Sequence, residues 1–290
     1  MRRSLHRAAL ALALAACGES SEPSEPSGAI APILAEEPLS ALLADPSPDN
    51  LLALLSRDHR VVRRALGPHR LEHSVDLTLT PPAEGGPAQQ IHDELLLLWA
   101  GRDDRDLRLH LRQGPDPLTS RELIILGETV YTRLPYRRFV AQPLDSDQHW
   151  LALDEAYHAV RDLLELAAPA LRITLSDPQG GLIRLDLSHR GEQAPPSPEQ
   201  PPESWRARVR ILEIEGHLEL DSHGIWRGVD LHLLYTIDAE AGPIRGEARL
   251  RGALTPDPAL MVQEPAELDP SPQRPRYEDE RRRLLDGLAR

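Results

Sequence analysis

The 290-residue chain carries 46 acidic and 33 basic side chains, for a formal charge of −13, and every basic residue besides histidine is arginine. A surface this acidic excludes bulk electrostatic binding to nucleic acid or to anionic headgroups. With one Phe, four Trp and five Tyr, the core has to be built from Leu, Ile and Val.

The N-terminus reads as an export signal. Arg2, Arg3 and Arg7 precede an apolar run from Ala8 to Ala16, which is long enough for a signal and far too short to span a bilayer. Leu14-Ala15-Ala16 leads into Cys17, the only cysteine. This is similar to the lipobox of bacterial lipoproteins. The resemblance implies that residues 1–16 are removed and that Cys17 carries lipid. Gly18 in place of Asp implies an outer-membrane address, facing the periplasm. Loss of three arginines with the signal moves the formal charge from −13 to −16. Residues 17–46 begin with repeated Ser-Glu-Pro and read as a tether, with a weak helical stretch over 30–46.

A stronger helix is predicted over 48–66. Ser47 caps it, Pro48 takes its first position, and Gly67-Pro68 stops it. The period then changes from helical to two. Strands are predicted at 69–79, at 91–100 and at 107–112, the second containing four consecutive leucines at 95–98 that imply cover on both faces. A hairpin follows over 123–134, turning at Gly127-Glu128, and 136–141 extends the sheet. Asp154 is expected to cap a helix ending near Ala167, with Ala156, Val160, Leu163 and Leu164 on one face. Strands at 171–175 and 182–187 come next, then a Pro/Glu/Gln-rich loop at 191–203. From Trp205 to Ile211 the apolar positions are odd, and from Leu212 to Leu220 they are even. That phase slip predicts a β-bulge near Ile211-Leu212. Strands at 229–237 and 244–254 complete the set, and a Pro-rich tail (257–290) ends in a short helix at 277–289.

About ten or eleven strands with short connections imply antiparallel neighbours, and a sheet this wide must curl or close. The expected fold is α+β and mostly β. It is a curved antiparallel sheet forming an unclosed barrel over 47–256, with helices packed on the concave face.

Three features together resemble the LolA/LolB/LppX-like superfamily. They are the element order, the hairpin phrase Glu122-Leu123-Ile124-Ile125-Leu126-Gly127-Glu128-Thr129-Val130-Tyr131-Thr132-Arg133-Leu134-Pro135, and the strand-turn Gly216-His217-Leu218-Glu219-Leu220-Asp221-Ser222-His223-Gly224. The resemblance implies an unclosed barrel that carries a lipoprotein or an acyl-bearing lipid in an apolar concavity. Residues expected to line that cavity are Leu77, Leu109, Val160, Leu164, Leu231, Leu233 and Tyr235. The bland alternative is a concavity filled by its own helices, which would leave a non-enzymatic scaffold or interaction module of the envelope.

No chemistry stands out. His69 and His73 lie about 13 Å apart along one strand, too far to share an ion, and read as ordinary partly buried or edge histidines. His217, Asp221 and His223 surround a turn, and the pairs Asp103/Asp104 and Asp145/Asp147 sit in turns that favour Asp. No nucleophile elbow, metalloprotease helix, phosphate loop or dinucleotide fingerprint occurs. The expectation is therefore no catalytic residue, no metal, no cofactor and no nucleic-acid partner. The expected partners are a membrane, reached through the lipid anchor, and an acyl-chain ligand or lipoprotein. Arg137-Arg138, beside Tyr136 and Phe139, could meet an acidic partner or a headgroup, but they read first as a solvated edge.

Overall fold

A computed structural model describes residues 36–82, 86–102, 106–116, 118–144, 148–194 and 205–269. Cys17, the signal and the expected terminal helix lie outside the described residues. Among the described residues four α-helices precede or interrupt eleven strands: α1 (Glu37–Ala44), α2 (Pro48–Leu55), α3 (His59–Leu66) and α4 (Gln148–Ala167). The strands are β1 (His69–Thr80), β2 (Gln89–Trp99), β3 (Arg108–Gln113), β4 (Arg121–Leu126), β5 (Thr129–Arg133) and β6 (Val140–Pro143), followed by β7 (Leu171–Gln179), β8 (Leu182–His189), β9 (Val209–Leu220), β10 (Trp226–Ile237) and β11 (Ile244–Pro256).

All eleven strands form one antiparallel sheet in the order β6-β5-β4-β3-β2-β1-β11-β10-β9-β8-β7, and its two edges do not meet. The chain starts in the middle. It meanders from β1 outward to β6, crosses by way of α4 to the opposite edge at β7, and meanders back to pair β11 with β1. A single helix therefore makes the one long crossover. It runs over the inner face with Leu153, Ala156, Val160 and Leu164 buried in the core. The expected mostly-β half-barrel, with helices on its concave face, is what the chain adopts.

Along β1, odd-numbered residues face inward. Leu71 and Leu79 are buried, while Arg70, Glu72, Asp76 and Thr80 are exposed. The register carries this face across the sheet: Leu71 pairs with Leu254 on one side and with Leu97 on the other. Leu42 of α1, Leu51 and Leu54 of α2 and the α4 residues close the core from inside.

Several expectations are corrected in detail. The predicted helix over 48–66 is two helices. Asp58 breaks it by accepting a bond from the Arg60 amide at 2.7 Å, which caps α3 as a new start. Helix α4 begins six residues earlier than its expected cap, so Asp154 is interior to it. The third leg of the hairpin begins at Val140, because Tyr136 sits in a turn at φ 59°. Residues 205–208 form a 3₁₀ turn and not a strand start. The phase slip is realised as predicted. Leu234 pairs with Glu213 and Tyr235 with Ile211, which leaves Leu212 unpaired and its side chain exposed. One extra residue is what restores Ile211 and Ile214 to the same buried face.

Candidate functional site

The seven residues expected to line a cavity do come together on the inner face. Leu109, Val160, Leu164, Leu231, Leu233 and Tyr235 are buried members of one continuous core, and half-buried Leu77 packs against it. Tyr235 shows how tightly the space is used. Its strand partner is Gly246, and a Cβ on that glycine would come within 2.2 Å of the phenol ring. The ring lies across bare backbone, and burial pushes the phenol up to about 12. The cavities described below are lined by other residues.

At one end of the half-barrel, polar groups hold the helices to β1. His69, which starts β1, is fully buried. Its Nδ1–H donates to the Gly67 carbonyl at 2.6 Å, so Nε2 carries the lone pair that accepts the Tyr157 hydroxyl at 2.6 Å. Tyr157 also stacks on His59 with ring centroids 5.6 Å apart. Asp154 faces two histidines, with Oδ1 at 3.2 Å from His59 Nδ1 and 3.1 Å from His158 Nδ1. The Arg63 guanidinium lies 4.1 Å over the Trp99 ring. Burial, reinforced by the Arg63 charge, lowers His59 to about 4, and burial lowers His69 to about 4. Burial likewise lowers His73 to about 4, and neither of its ring nitrogens has a partner among the described residues. These histidines are neutral at physiological pH. His59 and His69, through Asp154 and Tyr157, join α3, α4 and β1 into one unit. A cavity of about 20 Å³ beside His59 and His158 has room for a single water. His59, whose buried Nε2 has no partner among the described residues, is part of its lining.

Two cavities of several hundred Å³ lie on the outer face. One, of about 650 Å³, crosses the middle of the sheet. It arises where Gly228 pairs with Ala253 and Ala253 with Glu72. Two residues without long side chains leave a depression, and Arg70, Arg112, Arg251, Glu94 and Asp230 stand around it.

The second, of about 510 Å³, is an open cleft bordered on one side by chain that follows β11. After Pro256 the backbone passes over the outer face as a strap, from Asp257, whose amide bonds the Pro68 carbonyl at 2.8 Å, to Asp269, whose amide bonds the Phe139 carbonyl at 2.7 Å. Beneath it Leu98, His110, Ile124 and Tyr131 form a single outward-facing row across β2, β3, β4 and β5. Next to that row Glu122, 8% exposed, receives His110 Nε2 at 2.9 Å and is paired with Arg133, whose guanidinium lies 5.2 Å from the Phe139 ring centroid. Arg137 and Arg138 line the same cavity, facing Glu264 and Glu267 of the strap.

Among the described residues no group of three or more His, Cys, Asp or Glu is placed to hold a metal ion, and no helix is long and apolar enough to cross a membrane. His217 lies along the 650 Å³ groove, and Asp221 is spent on its turn, accepting from the His223 and Ile225 amides. No protein-family model matches the chain, and no curated protein matches it.

The strap is the structural element that sequence reading missed, since a Pro-rich tail carries no periodicity. Its signal was present on the strands it covers. Four consecutive leucines at 95–98 put Leu98 on the outer face, and consecutive apolar residues at 123–126 put Ile124 there.

Proposed function

We propose that this chain is a lipid-anchored envelope protein, held to a membrane through Cys17, that has no catalytic role and recognises a partner with the outer face of its half-barrel. The observation that carries the reading is where the space lies. The inner face is packed with its own side chains, from Trp99 and Leu109 to Leu164 and Tyr235, whereas two cavities of several hundred Å³ open among charged residues outside. A carrier of acyl chains needs an apolar, water-excluding space that its own side chains leave empty. Polar, open clefts suit a protein or peptide surface better.

The test is native mass spectrometry of the domain purified without its anchor, together with titration by a fluorescent fatty acid. The expected result is a mass equal to the bare chain and no saturable uptake. Copurifying lipid with stoichiometric uptake would overturn the reading and restore interior carriage. In the full chain, Cys17→Ser should move the protein from the membrane fraction to the soluble fraction.

A further inference from the structure

We propose that the strap of residues 257–269 is displaceable, and that the surface beneath it is a docking site for an extended acidic peptide carrying a Glu-Pro-x-Glu pattern. The inference rests on the reading that the outer face is the working surface.

The first argument is misplaced burial. Ile124 and Tyr131 point out of the sheet on the side opposite the core, yet they are only 4% and 6% exposed. On a solvated face, alternation would put polar residues at these positions. They stay dry because the strap lies over them.

The second argument is how lightly the strap holds. It has no regular structure. Among the described residues its side-chain ties include the hydrogen bond that Tyr131 donates to Glu264 and the Glu267–Arg138 pair at 4.0 Å, and Asp269 at its far end makes a further interaction. Met261 and Leu268 turn their side chains to solvent, and a cavity of about 510 Å³ remains underneath. A segment with few buried contacts and an exposed backbone belongs to the low-stability end of a fold and opens first.

The third argument is that the strap displays the chemistry of its replacement. Its sequence here is Glu264-Pro265-Ala266-Glu267-Leu268. One glutamate is read by a tyrosine hydroxyl, and the second, three residues on, by an arginine. The backbone then pairs in parallel at Phe139 with Leu268, beside β6, one of the two edges of the sheet among the described residues. Strand-like addition at an edge is a common way to take an extended peptide. With Arg137 and Arg138 at the mouth, the charge of the site is complementary to an acidic segment. The chain's own strap competes at high effective concentration, so an outside peptide binds tightly only when the strap is loosened.

The experiment uses the full chain. Glu264→Ala/Glu267→Ala removes both side-chain contacts at exposed positions, which leaves the core intact. A fluorescein-labelled peptide copying residues 261–269 is titrated by anisotropy, and hydrogen exchange follows the Asp269 amide. The loosened variant should exchange that amide at least tenfold faster and bind the peptide at least tenfold more tightly than the unmodified chain. Adding Arg138→Glu should abolish the gain. Unchanged exchange, no binding by the loosened variant, or binding indifferent to Arg138→Glu would each overturn the proposal. Lipid found in the native mass spectrum would instead sink the outer-face reading, so the two failures are distinguishable.

Discussion

Acidification should unfold this domain through three neutral histidines. His59, His69 and His73 titrate near 4 in the folded chain, against 6.5 unfolded. Burial is the main cause for each. Arg63 adds to it at His59 and His69, and Arg227 adds at His69, while Asp154 and Asp58 oppose it at His59 and Asp93 at His73. Because the folded values are depressed, the unfolded chain binds more protons between the two values. Stability is therefore intact above about pH 6.5 and falls as pH drops toward 4. At pH 5 each histidine costs about 2 kcal/mol relative to neutral pH, and three cost about 6 kcal/mol. That approaches the whole stability of an ordinary domain, roughly 5–15 kcal/mol. Near pH 5.5 unfolding should take up about 2.6 protons, a slope of about 3.5 kcal/mol per pH unit. Asp162, raised mainly by burial, works weakly the other way. Urea denaturation followed by tryptophan fluorescence at pH 7.5, 6, 5.5 and 5 measures the slope. His73→Leu, which removes two ring nitrogens without a partner among the described residues, should lower the slope by about a third without loss of stability at pH 7.5. A slope below about 1 kcal/mol per pH unit in the unsubstituted chain would refute the reasoning, since it leaves less than one proton for three histidines.

Other outcomes follow from packing. Gly246→Ala should cost about 3 kcal/mol in a thermal or urea melt, because the new methyl would stand 2.2 Å from the Tyr235 ring in a core with no room to yield. Gly216→Ala should be at least as damaging, since its Cβ would meet the Asp230 carbonyl oxygen at 2.1 Å and its φ is 154°; no soluble folded protein on expression is the expected outcome. Leu231→Ala, at a fully buried position between β9 and β11, should cost about 2–5 kcal/mol. Leu212→Ser, at the exposed bulge residue, should stay within about 0.5 kcal/mol of the parent. Equal losses at Leu231 and Leu212 would mean that the register of β9 is not as described.

The sequence by itself determined what depends on local pattern. Period-two apolar spacing marked the strands and their inward faces, Gly67-Pro68 marked the helix stop, and the odd-to-even switch at Ile211-Leu212 marked the bulge, because each is written in neighbouring residues. Short connections then implied an antiparallel, curled sheet. Only tertiary structure decided matters that join distant segments. Asp154 has the look of a helix cap, yet it became an interior carboxylate facing His59, which is far away in sequence. Apolar stripes could not say whether the concavity was empty or filled, because volume is set by how the side chains of α4 and of the strands' inner faces meet in one core. Nor could periodicity announce the strap. A segment held by scattered contacts to Pro68, Tyr131, Arg138 and Phe139 has no repeat of its own. It shows only in the surplus of leucine and isoleucine on the face it covers.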